Sequence, residues 1–151
     1  MGKRLTVHCC QLQEFDSEKK YDVIVSNPPF FPCPKSHLEK KGSQARFTHK
    51  LSLAELAGRV VKLLSAKGSF YAILPIHEGA HFTNEAEKRD LFLTHYTWVK
   101  TTARKKFPKR ILMRFEFFKK NIDDDNLLVI QQNNSYTDEY KKLTKDYYIK
   151  F

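Results

Sequence analysis

A chain of 151 residues is long enough for one compact domain with a sizeable core, and 41% hydrophobic with 29% charged residues is the make-up of an ordinary globular protein. Its 27 Lys and Arg against 17 Asp and Glu leave a net charge of +10, which suits a polyanionic partner such as nucleic acid, a generally basic surface being the plain alternative. No apolar run approaches the ~18 residues of a membrane-spanning helix, and the first ten residues lack a basic stretch followed by an apolar one, so no membrane and a cytoplasmic location are expected.

In chain order, Arg4–Cys9 reads as a short strand. Cys9, Cys10 and Cys33 have no metal-ligand spacing and read as reduced thiols, so no metal is expected. Tyr21–Val25 is a continuous apolar strand, as in a parallel sheet covered on both faces. Residues 31–50 are polar, basic and proline-containing, a loop of a length that marks function or disorder. Ser52 is an N-cap that Glu55 completes as a capping box, with Leu51 and Leu56 as a hydrophobic staple. Leu53, Leu56, Ala57, Val60, Val61 and Leu64 follow at helical spacing, and Gly68 is expected to stop that helix. Ser69–Leu74 is a strand halted by Pro75, and a weaker helix covers about 78–92. Strands are expected near 93–101, 111–118 and Leu127–Ile130, and a last helix opens at Thr137–Tyr140 with acids in its first turn. The alternation predicts an α/β sheet with parallel strands and antiparallel pairing near the end.

Ligand sites in such sheets lie beyond the carboxyl ends of strands, where Tyr21–Val25 runs into Ser26-Asn27-Pro28-Pro29-Phe30. Each proline disfavours the α conformation in the residue before it, so the turn is stiff and extended. The side-chain oxygen of Asn27 and the carbonyl of Pro28 can then point outward as two acceptors. An exocyclic amino group offers two N–H donors on one nitrogen, and Phe30 can stack on the attached ring. Holding both donors weakens conjugation of the lone pair and lets it attack a methyl sulfonium, a chemistry of positioning and local electrostatics that needs neither metal nor strong base. The plain alternatives are an ordinary Asn-Pro turn and a Phe30 that packs in the core.

Two basic clusters accompany the turn. Arg104, Lys105, Lys106, Lys109 and Arg110 enclose Phe107 and Pro108, and read as RNA contacts or a solvated face. Lys35, Lys40, Lys41, Arg46 and Lys50 follow the Asn-Pro-Pro turn, where Arg46 could hold phosphate or brace the loop. His77-Glu78-Gly79-Ala80-His81 satisfies the H-E-x-x-H zinc pattern. Pro75 and Gly79 argue against an established helix there, and Asn84 and Glu87 stand where an extended motif has glycine and histidine, so two polar residues in a strand-to-helix loop are expected.

Asn27-Pro28-Pro29-Phe30 after an apolar strand resembles motif IV of class I S-adenosylmethionine-dependent methyltransferases acting on amino nitrogens. Over essentially the whole chain the sequence is similar to the tRNA1(Val) (adenine-37-N6)-methyltransferase family. The matching stretches are Ala45-Arg46-Phe47-Thr48, Ile73-Leu74-Pro75, Pro108-Lys109-Arg110-Ile111-Leu112, Ser135–Tyr140 and Leu143–Tyr148. The resemblance implies a Rossmann-like sheet of order 3-2-1-4-5-7-6, S-adenosyl-L-methionine as cofactor, tRNA as partner, and Asn27, Pro28, Pro29 and Phe30 as catalytic residues. It puts Gln11, Leu12 and Asn27 at the cofactor, Gln11 where the family often has an acidic residue. The family's glycine-rich cofactor loop has no counterpart among glycines scattered at 2, 42, 58, 68 and 79. Residues 1–151 are therefore expected to be the C-terminal part of a single methyltransferase domain, a partial sheet lacking the N-terminal cofactor-loop strands. An apolar edge bared on Tyr21–Val25 would then favour self-association. The same chemistry on guanine N2 of ribosomal RNA or on a protein glutamine, and RNA binding without catalysis, are the alternatives.

Overall fold

A computed structural model describes residues 5–28, 51–122 and 126–148. In chain order these form β1 (Tyr21–Ser26), α1 (Leu53–Leu63), β2 (Leu64–Pro75), α2 (Ile76–Glu87), β3 (Phe92–Thr102), β4 (Arg110–Glu116), β5 (Asn126–Gln132), β6 (Ser135–Tyr136) and α3 (Asp138–Thr144). The α1 start follows the sequence: the Ser52 hydroxyl accepts from the Glu55 N–H at 3.1 Å, and the Glu55 carboxylate accepts from the Ser52 N–H at 2.7 Å. Those bonds hold the Glu55 carboxyl below its ordinary pKa. Thr137 caps α3 in the same way, accepting from the Tyr140 N–H.

Two expectations fail for physical reasons. Gly68 does not stop α1, which ends at Leu63 and passes directly into β2. Gly68 instead serves the β1–β2 pairing, whose register shifts between Tyr21↔Leu64 and Val23↔Ser69. A Cβ at Gly68 would lie 2.9 Å from the Tyr21 carbonyl oxygen and 3.0 Å from that of Asp22, so only glycine lets the strands meet there. The strand expected over Arg4–Cys9 is absent: its described part, residues 5–9, is irregular and exposed. A strand needs a neighbour for its backbone groups, and β1 is itself the sheet edge among the described residues.

The strand order is β1-β2-β4-β3-β5-β6. β1 pairs parallel with β2, β4 runs antiparallel between β2 and β3, and β5 pairs parallel with β3. Insertion of the later strand β4 between β2 and β3 reproduces the 4-5-7-6 run of the expected methyltransferase order, so the α/β architecture read from the sequence is observed. α1 and α2 cover one face of this sheet. Leu56, Ala57, Val60, Phe82 and Ala86 from the helices meet Phe70, Ala72, Leu74, Ile111, Met113 and Phe115 from β2 and β4. Phe70, Phe82 and Phe115 form a fully buried triad with centroids 5.0 to 6.1 Å apart. Each such ring contributes about 1.5–3 kcal/mol by burial. On the opposite face Val23, Val25, Tyr71 and Leu112 remain exposed, Val25 to 75%. A parallel pair such as β1–β2 is ordinarily covered on both faces.

Candidate active site and nucleic-acid interface

β1 ends at Ser26, paired with Ala72, while β2 runs on to Pro75 opposite Arg110 of β4. The Asn27-Pro28 turn therefore emerges in a notch of the carboxyl edge, with the ends of β2 and β4 projecting ~10 Å beyond it. Pro28 is buried, whereas Asn27 is exposed. Asn27 borders a groove of about 330 Å³ on the open face. Its lining includes Val25, Tyr71, Ile73 and Leu112, with Ser26, His95, Thr97 and Arg114 as polar members. The Arg114 guanidinium lies 5.8 Å from the Tyr71 ring centroid. Sequence reasoning missed Tyr71 and Arg114. Their signal was alternation: they sit directly opposite each other across β2 and β4, between the inward-facing Phe70, Ala72, Met113 and Phe115.

The segment carrying Gln11 and Leu12 reaches the same edge. α1 starts at the carboxyl end of β1 and runs back along the sheet. Gln13 bonds Glu55 in the first turn of α1, the Phe15 carbonyl accepts from Arg59, and Asp16 pairs with Lys62 at 3.0 Å. Residues 13–20 thus run alongside α1 toward the start of β1, which leaves the Gln11 turn near the helix N-terminus. The Gln11 carbonyl accepts from the Glu14 and Phe15 N–H groups, while Leu12 packs on the core.

The third cluster lies on the β3–β4 connection, again at the carboxyl edge. The Lys105 N–H donates to Thr102 at 3.1 Å and the Lys109 N–H to Val99 at 3.0 Å, which folds 103–109 into a tight projecting loop. Arg104, Lys105, Lys106, Lys109 and Arg110 are all exposed on it. Among the described residues none of the five pairs with a carboxylate, whereas Arg89 and Arg114 do. Two concavities flank the loop. One is polar, with Arg104, Gln131, Gln132, Asn133 and Asn134. The other holds Trp98, Lys100, Lys106, Phe107 and Pro108. The sequence reading did not single out Trp98 or Lys100, although their i, i+2 spacing on a strand puts them on one face.

Pro29, Phe30, Arg46, Cys33, Lys35, Lys40, Lys41 and Lys50 lie outside the described residues. The histidine motif is placed differently from expectation. Pro75 occupies the N-cap position and α2 begins at Ile76, so His77 and His81 stand one turn apart on a helix, rings 4.4 Å apart. Gly79 is no helix breaker here. It is buried where a Cβ would meet Ile111 at 2.8 Å, so packing of α2 on β4 accounts for it. Among the described residues no group of three or more His, Cys, Asp or Glu is disposed to hold a metal. No described helix is long and apolar enough to cross a membrane.

No family model matches the chain. Its sequence is 35% identical over 146 residues to the tRNA1(Val) (adenine(37)-N6)-methyltransferase of Pseudoalteromonas translucida, covering 97% of this chain and 62% of that protein. Enzymes of the same name from Bacteroides fragilis and Trichodesmium erythraeum are 33% and 38% identical over 99% and 89% of this chain, and 64% and 56% of theirs. The similarity to this family runs over nearly the whole of this chain. It spans about three fifths of the length of the relatives it matches. Among solved structures, a class I S-adenosylmethionine-dependent methyltransferase of Listeria monocytogenes aligns with TM-score 0.48 and 13% identity, over 89% of this chain and 42% of that one. The similarity to the tRNA methyltransferases rests on the sequence identity.

Proposed function

We propose that the chain forms the amine-holding and RNA-binding part of an S-adenosylmethionine-dependent methyltransferase acting on N6 of adenine in the anticodon loop of a tRNA. One observation carries the reading: Asn27-Pro28 and five cations that have no carboxylate partner among the described residues leave the sheet at the same edge. The β4 loop lies two strands from β1, a lateral step of ~10 Å, so one RNA lying across the edge reaches both. In this reading Asn27 Oδ1 and the Pro28 carbonyl each accept one N–H of the adenine amine, which orients its lone pair away from the ring. An unpaired loop base costs less to turn out than a base in a duplex. The relatives' names, tRNA1(Val) (adenine(37)-N6)-methyltransferase, supply the nucleic acid and the position.

S-adenosylmethionine, when bound, supplies an electrophilic methyl group. Gln11 and Leu12 suit its adenine end, an amide for the ring edge and an apolar contact for its face. Among the described residues none suits its ribose and methionine ends, which call for acidic and glycine-rich backbone contacts: Gly68 and Gly79 are both committed to close packing. The rival reading is an RNA-binding protein without turnover.

The test is transfer of labelled methyl groups to unmodified tRNA. It uses both the chain itself and a chimaera in which the chain replaces the aligned residues of the Pseudoalteromonas enzyme. Label at adenine N6 that disappears with Asn27→Ala supports the proposal. Label on guanine N2 or on glutamine reassigns the substrate. A folded chimaera that binds tRNA and transfers nothing leaves the rival.

A further inference from the structure

The concavity beside the basic loop has a composition of its own. Its volume is about 660 Å³, and its lining is Ile76, Trp98, Lys100, Lys106, Phe107, Pro108 and Leu127. The volume lies within the roughly 300–1000 Å³ of pockets that take organic ligands. Phe107 is 67% exposed, so its ring is accessible to a ligand. The Lys106 ammonium sits 5.3 Å from the Phe107 ring centroid. Pro108 stiffens the segment that presents the ring. Trp98 and Lys100 project from β3 on the side of α1 and α2, since Trp98 pairs with the inward-facing Ile111.

We propose that this concavity receives an unpaired nucleobase of the bound RNA, stacked on Phe107 beside Trp98, with Lys100 and Lys106 on the phosphates that flank it. Two exposed or half-exposed aromatic rings with cations at the rim form the combination that holds single-stranded nucleic acid, because every base has a π-face and every step a phosphate. The charge favours this occupant: Arg104, Lys105, Lys109 and Arg110 are exposed on the same connection that presents Phe107. The base is distinct from the target. β3 lies three strands from β1, ~14 Å laterally, and the concavity opens on the helix-covered face while Asn27 borders the groove on the other. The RNA therefore bends over the sheet edge, with the target adenine at Asn27 and a base some nucleotides away at Phe107. The inference rests on the RNA-binding part of the proposed function.

Trp98 is the sole tryptophan, so its fluorescence reports on the concavity directly. The experiment titrates the chain with a single-stranded RNA oligonucleotide and with a blunt RNA duplex of the same length. The single strand should quench Trp98 and the duplex should bind without the same quench. Phe107→Ala should weaken single-strand binding by about 5- to 150-fold, the loss of one stacked base, with the salt dependence unchanged, while Phe107→Tyr should bind as the parent does. Equal quenching by duplex, undiminished affinity in Phe107→Ala, or no RNA binding at all overturns the inference. Adenine N6 methylation that persists with undiminished affinity in Phe107→Ala would sink this inference alone. Quenching without methyl transfer by a folded chimaera would sink the catalytic reading alone.

Discussion

Neutralising the β3–β4 loop tests the electrostatic part of the account in numbers. Arg104, Lys105, Lys106, Lys109 and Arg110 are exposed, and among the described residues they have no carboxylate partners, so each is available for a phosphate. Each phosphate neutralised adds about −0.7 to the slope of log affinity against log salt on a single strand, and about −0.9 on a duplex. Five contacts therefore account for a slope of about −3.5 to −4.5, and raising salt from 50 to 200 mM should cost about 100- to 500-fold in affinity through this loop alone. Replacing all five by Ala should flatten the slope by that amount. The side chains are exposed on a loop held by backbone hydrogen bonds, so the melting temperature should stay within a few degrees. Filter binding of unmodified tRNA at four or five salt concentrations reads the slope. A variant that melts as the parent does and keeps the full slope removes the loop from the interface.

Gly68→Ala would drive a methyl group against the Tyr21 and Asp22 carbonyls and Leu64, and should cost about 1–3 kcal/mol, a fall of about 2–12 °C in melting temperature. An unchanged melt would mean β1 and β2 are not so close. Burial raises the Glu116 pKa, but hydrogen bonds from Ser69, Thr94 and Arg114 outweigh it and leave the carboxyl below its ordinary value near 4.5. The stability it contributes is present above that ordinary value and is lost as pH falls below it through the depressed folded value. Glu116→Gln should be less stable at neutral pH and show a shallower loss below about pH 4.5 in acid titrations followed by circular dichroism; parallel curves would contradict the assignment. β1, the sheet edge among the described residues, with Val23 and Val25 at 60% and 75% exposure, should drive concentration-dependent association that Val25→Lys suppresses. A strictly monomeric, cooperatively melting parent in ultracentrifugation would count against that surface.

Much of this is legible in the sequence. The Ser52–Glu55 box fixed the start of α1 to the residue because capping is a local bond between a side chain and a backbone three residues away. Tyr21–Val25 followed by Ser26-Asn27-Pro28 likewise marked a strand end by local chemistry, and β1 ends one residue later at Ser26. What failed depended on distant neighbours. Gly68 looks like a helix stop along the chain, and only the approach of Tyr21 and Asp22, more than forty residues away, explains it as a strand residue. Gly79 looks like a breaker for the same reason, and its fit against Ile111 is invisible from the sequence. Leu5 and Val7 have strand-forming side chains but meet no described partner strand. The groove with Tyr71 and Arg114, and the concavity with Trp98, arise from cross-strand register, which alternation hints at and pairing alone determines.

The most direct measurement is the methyl-transfer rate of Asn27→Ala in the chimaera, at saturating S-adenosylmethionine on unmodified tRNA. Loss of one preorganised acceptor for the target amine should lower turnover by about 100- to 1000-fold, with tRNA affinity nearly intact because the proposed phosphate contacts lie on the β3–β4 loop and not at Asn27. Asn27→Asp, of equal size and still an acceptor but charged, should separate loss of bulk from loss of the neutral amide. Near-normal turnover in Asn27→Ala would show that the turn at the end of β1 is structural and that the amine is held elsewhere.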